Sequence, residues 1–150
     1  MKPKSKKKKK PNKKTYYVSP KEFLQLLKNY YETDDLVDEL AESTYKIAVG
    51  LSYSPNFINY SYKDEMIGDA IVKMIAAVKN KKFNLESTSN PFSYFTTIAY
   101  HAFINRIKKE KKHHAAITSY REQMYDEYMS DPENTHGHVY VKPPDEENDY

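Results

Sequence analysis

Cysteine and tryptophan are both absent from the 150 residues, and glycine occurs only three times. Without cysteine there is no disulfide, no thiolate metal ligand and no cysteine nucleophile. So little glycine leaves poor material for phosphate-cradling loops or turn-rich β-sheets. No apolar run approaches the ~18 residues of a membrane span, and no hydrophobic segment follows the N-terminal lysines to make a signal peptide. The expectation is one soluble, intracellular, all-α domain with tails.

What is plentiful is charge, and it is unevenly placed. The net charge is +3, yet nine of the 24 basic residues lie between Lys2 and Lys14, so the rest of the chain carries 15 basic against 21 acidic residues. From Glu122 to Tyr150 nine acids face the single Lys142, whereas Arg106 to Lys112 holds five basic residues and one acid, Glu110. The chain reads as basic arm, mixed body, basic patch and acidic tail. The arm repels itself and buries almost nothing, so residues 1–15 are expected to be disordered, residues 16–130 to form the domain, and residues 131–150, with three prolines, to be a disordered acidic tail.

About four helices are expected. Ser19-Pro20-Lys21-Glu22 has the form of a capping box with proline at the first helical position, and Phe23, Leu24, Leu26, Leu27, Tyr30 and Tyr31 follow at helical spacing. A second helix is predicted from Asp34 to Tyr53, with Leu36, Leu40, Thr44, Ile47, Ala48 and Leu51 on one face and Ser54-Pro55-Asn56 behind it. Ser61-Tyr62-Lys63-Asp64 offers another capping box, with Ile67, Ile71, Met74, Ile75 and Val78 as the stripe behind it, as far as Asn80. Asn90-Pro91 opens a fourth helix predicted to reach Lys112, and Ile117, Tyr120, Met124 and Tyr128 fit a separate, weaker helix.

The fourth helix is the candidate working surface. Phe95, Ala99, Ala102, Phe103 and Ile107 make its core side, while Tyr94, Thr97, His101, Asn105, Lys108 and Lys112 succeed one another on the other. An aromatic ring can stack on an unpaired base, Asn and His can bond base edges, and lysines suit phosphates. The plain alternative is a solvated face whose C-terminal lysines complement the helix dipole.

Asn90-Pro91-x-x-Tyr94-x-Thr96, Ala102-Phe103 and Arg106-Ile107-Lys108-Lys109-Glu110-x-Lys112 resemble the late-transcription sigma factors of T-even-like bacteriophages, minimal relatives of region 2 of the sigma-70 family. Glu65-Met66-Ile67-x-Asp69 and Tyr16-Tyr17-Val18 with Lys21-Glu22 and Leu24, Leu26 match the same family, so the likeness spans roughly residues 16–112. The resemblance implies a compact sigma region 2 fold and a protein that binds host core RNA polymerase and directs it to a short AT-rich late promoter element. It implies work in the cytoplasm of an infected bacterium. Glu65, Met66, Ile67, Asp69, Val72 and Lys73 would meet the clamp helices of the largest polymerase subunit. The helix opened by Pro91 would melt promoter DNA and hold the unpaired strand, through Tyr94, Thr97, Tyr100 and His101, then Asn105 and Arg106, and finally Lys108, Lys109, Lys111 and Lys112. Where the wider sigma-70 family places two tryptophans, this chain has Thr97 and Ile98, so melting would lean on Tyr94 and Tyr100 and on a co-activator. The family ends in a peptide that binds the DNA sliding clamp, and the end of this chain does not closely match it, though Val139, Tyr140 and Val141 with the acids behind them make a workable anchor for such a clamp.

No cofactor is implied. His113-His114 and His136-Gly-His138 lack a completing ligand set, and no nucleophile elbow or phosphate-loop sequence is present, so no enzyme is expected. The rival readings are a sequence-neutral basic DNA-coating protein, and a small nuclease using Asp64, Glu65 and Asp69 for Mg²⁺.

Overall fold

The computed structural model describes residues 16–133; the basic arm and the tail beyond Glu133, with His136, His138 and the Val139-Tyr140-Val141 stretch, lie outside the described residues. Four helices make up the described chain: α1 Pro20–Thr33, α2 Asp38–Ser52, α3 Lys63–Lys79 and α4 Pro91–Ser130. The fold is all-α, as the composition implies. Helix α3 packs chiefly on α4, α2 touches both, and α1 lies against α2 and α4.

One core runs through all four. Phe23 and Leu27 of α1, Leu40 and Ile47 of α2, Met66 and Met74 of α3, and Phe95 and Phe103 of α4 are almost wholly buried. Its rings meet edge to face: Phe23 on Phe95 at 5.1 Å between centroids, and Phe57, from the α2–α3 connection, on Phe103 at 5.0 Å. That geometry sets the positive ring edge against a negative face, which adds to the gain from burying the area itself.

Helix boundaries follow local chemistry, and several differ from the sequence expectation. Asp34 adopts a left-handed conformation (φ 54°) and donates its N–H to Tyr30 O at 2.7 Å, which closes α1 and delays α2 until Asp38. Neither expected capping box forms. Ser19 precedes α1 without a side-chain cap bond, and Ser61 falls one residue outside the N-cap position that Tyr62 occupies. The Asn90 cap does form, its Oδ1 accepting from Phe92 N–H at 2.9 Å with Pro91 as first helical residue. On α3 the buried stripe is Met66, Ala70, Met74, Ala77 and Val78, while Ile67, Ile71 and Ile75 are half-buried.

The largest difference is at the C-terminal side. Helix α4 is one 40-residue element that absorbs the separate helix expected after Lys112. His113-His114-Ala115-Ala116 contains neither Gly nor Pro, and alanine is the best helix former, so nothing there interrupts the backbone. It stops at Ser130 because Asp131, preceding Pro132, is pushed into extended backbone (ψ 113°). Every residue from Lys111 to Ser130 is exposed, so the last five turns or so project beyond the body.

The α3–α4 loop is tied down at the opposite end. The Tyr31 hydroxyl donates to Phe83 O at 3.0 Å and accepts from Phe83 N–H at 3.1 Å. Lys81 Nζ donates to Tyr31 O at 3.1 Å and pairs with Asp34 at 2.8 Å. Burial raises the Tyr31 hydroxyl pKa, so it stays protonated and able to donate.

Candidate nucleic-acid interface

Helix α4 presents two faces over its first six turns. Phe95, Ala99, Ala102, Phe103 and Ile107 are buried, as their spacing predicts, and Thr97, His101, Asn105, Lys108 and Lys112 are exposed on the other side. Tyr94 belongs to both. It is half-buried, its ring 5.2 Å from Phe83 and 5.3 Å from Phe95, so one side is held by the core. Tyr100 is 40% exposed and rests edge-on against Phe57 at 5.4 Å, beside the ring of His101 at 6.1 Å. The two tyrosines are thus braced platforms rather than free side chains.

Arg106 and Asp69 have a different place from the one expected. Arg106 Nε donates to Asp69 Oδ2 at 2.6 Å and its terminal NH2 nitrogen to Asp69 Oδ1 at 2.8 Å, a bidentate pair across α3 and α4. Its remaining terminal nitrogen reaches Glu110 Oε1 at 3.3 Å. The hydrogen bonds from Arg106 lower the Asp69 pKa against the opposing effect of burial, helped by the charges of Arg106, Lys109 and Lys73, and the same pairing raises that of Arg106. With its guanidinium engaged by two carboxylates, Arg106 is a brace between helices and not a free phosphate contact. Asp69 is likewise occupied.

Met66 is fully buried, which removes it from any surface, and Ile67 is half-buried. Glu65, Val72 and Lys73 stay open, Val72 at 68% exposure. The structure brings part of the two predicted sets together. Asp69, Val72 and Lys73 of α3 and Ala102, Asn105, Arg106 and Lys109 of α4 line one shallow groove of about 250 Å³. Lys111 and Lys112 lie beyond it on the projecting part, and Tyr94, Thr97 and Tyr100 lie toward the start of the helix.

Sequence reading missed the Asp69–Arg106 bond, whose partners are 37 residues apart. Its one signal was a lone arginine among lysines, since arginine is the side chain that suits a bidentate carboxylate contact. Phe57 was missed too, because it sits in a connection with no periodicity around it. No group of three His, Cys, Asp or Glu that could hold a metal comes together among the described residues, and none of their helices is long and apolar enough to cross a membrane. No family model matches the chain, and no curated protein matches it.

Proposed function

We propose that the chain is a region 2-type sigma factor that binds host core RNA polymerase in the bacterial cytoplasm and directs it to phage late promoters. The observation that carries this reading is the outer face of α4. Thr97, His101, Asn105, Lys108 and Lys112 form one exposed stripe, started by braced aromatic rings and ended by cations, opposite a fully packed core. Stacking, base-edge hydrogen bonds and phosphate neutralisation follow one another along it, as capture of an unpaired strand requires. The polymerase contact is assigned to Glu65, Val72 and Lys73, the open part of α3, with Ile67 at its edge.

The test is run-off transcription from an AT-rich late promoter by core polymerase with and without this protein. Transcription that depends on the protein supports the reading. Because a stacked base is worth ~1–3 kcal/mol, Tyr94→Ala should reduce promoter opening about tenfold or more, read as permanganate reactivity of promoter thymines. Tyr94 also packs on Phe83, so Asn105→Ala and His101→Ala, both at exposed positions, separate loss of contact from loss of fold. Normal opening by all three variants counts against the assignment.

The basic arm and patch support a second reading, a DNA-coating protein that binds duplex without polymerase and without sequence choice. Equal affinity for promoter and random duplex, unchanged by core polymerase, would favour it.

A further inference from the structure

The ring of Tyr94 is backed by a residue from outside its own helix. Phe83, in the loop between α3 and α4, is buried and lies 5.2 Å from the Tyr94 ring with the planes inclined at 60°. One side of the tyrosine therefore rests on a loop, and loops ordinarily shift more than the elements they join. This loop is tied down at Phe83 itself. The Tyr31 hydroxyl, near the end of α1, donates to Phe83 O and accepts from Phe83 N–H, so one side chain engages both backbone polar groups of a residue 52 positions away.

Two more contacts fasten the same corner. Lys81 Nζ donates to Tyr31 O at 3.1 Å and pairs with Asp34 at 2.8 Å. Asp34 (φ 54°) and Lys81 (φ 50°) are the two non-glycine residues with left-handed backbone among those described. Lysine rarely adopts that conformation, and it persists where surrounding contacts enforce it. The turn that ends α1 and the turn that follows α3 are thus held to each other by an ion pair. Burial, partly opposed by the bond to Phe83, raises the Tyr31 pKa, and the Tyr94 hydroxyl adds to the rise, as expected of neighbouring phenols.

We infer that Tyr31 is a positioning residue for strand capture: through Phe83 it fixes the Tyr94 ring on which an unpaired base stacks. This role rests on the transcription reading of Tyr94. A ring held in place before the base arrives has less freedom to lose on stacking, which is how a hydroxyl on α1 acts on promoter opening.

Tyr31→Phe removes one oxygen and keeps the ring. In the full chain labelled with 3-fluorotyrosine, the fluorine resonance of Tyr94, identified by its loss in Tyr94→Phe, should move in Tyr31→Phe while the helical circular dichroism persists. In the polymerase complex Tyr31→Phe should lower the permanganate reactivity of promoter thymines about threefold, with retention on core polymerase unchanged. Added to Tyr94→Ala it should have no further effect, whereas a general loss of stability would multiply the two. Multiplied effects, an unmoved Tyr94 resonance, or full opening by Tyr31→Phe where Tyr94→Ala is impaired would each overturn the positioning role alone. Normal opening by Tyr94→Ala would remove strand capture by Tyr94 and the role of Tyr31 with it.

Discussion

Arg106 shows how one side chain can serve packing where its charge invites a ligand role. Its two hydrogen bonds to Asp69 hold α3 to α4 at the floor of the groove, and replacing Asp69 leaves the guanidinium facing Glu110 alone. Because the pairing depresses the Asp69 pKa, its stabilising effect is present above the ordinary carboxylate value of about 4 and is lost as pH falls through the lower folded value. Asp69→Asn should therefore lower Tm at neutral pH, with the difference from wild type shrinking as the solution is made strongly acidic; thermal melts across that range check it. Gly68, one residue away, stands in an exposed helix interior where an added Cβ meets nothing within 4 Å. Gly68→Ala should stabilise by about 1 kcal/mol, read by urea unfolding, because alanine restricts the unfolded chain and strengthens the helix. At the helix start, Asn90→Ala should cost about 1 kcal/mol in the same assay, since it strips the Phe92 N–H of its acceptor.

Among the elements, α4 carries both the core and a length of helix that the core does not need. No residue from Lys111 to Ser130 is buried, so a chain ending at Lys112 should keep its urea midpoint, the change in stability staying below about 0.5 kcal/mol while helical signal is lost. Hydrogen exchange on the dilute full chain should show the same division, with protected amides around Ala99 to Phe103 and weakly protected ones past His113. The inner and outer faces of this helix were legible from spacing, since Phe95, Ala99, Ala102, Phe103 and Ile107 repeat at the helical period. Its continuity was not, because the spacing gave one helix to Lys112 and a weaker one from Ile117, and no buried residue between them joins the two stripes. On α3 the predicted stripe held at Met74 and Val78 and failed at its three isoleucines, which are only half-buried. Hydrophobicity alone did not mark Met66, Ala70 and Ala77, which the packed face of α3 buries instead. Asp34 was read as a helix start when its left-handed backbone makes it a helix end, a conformation that an aspartate tolerates and does not announce. In the candidate site the exposed stripe was legible, and the Asp69–Arg106 pair was not, since nothing local links residues on two different helices.

For the molecule as a whole, cationic side chains are concentrated in the arm of residues 2–14 and in the Lys108–Lys112 end of the α4 face. Each phosphate contact contributes about 0.7–0.9 to the slope of log affinity against log salt. Deleting residues 2–14 should flatten that slope by several such steps and weaken DNA binding without altering sequence choice, measured by fluorescence anisotropy of the polymerase complex over a salt series. Helix α4, about 60 Å long at 1.5 Å per residue, is also the dimension that sets the shape. Its last buried residue is Ile107, next to the Asp69–Arg106 pair, with Glu110 joined to Arg106 on the next turn. From Glu110 to Ser130 the helix runs about 30 Å without a buried residue, so a tilt of about 10° at its root swings the tip through roughly 5 Å. The helix is a mechanical pointer: an angular change in the groove too small to alter the body's contacts becomes, at Ser130, a displacement as wide as a strand spacing.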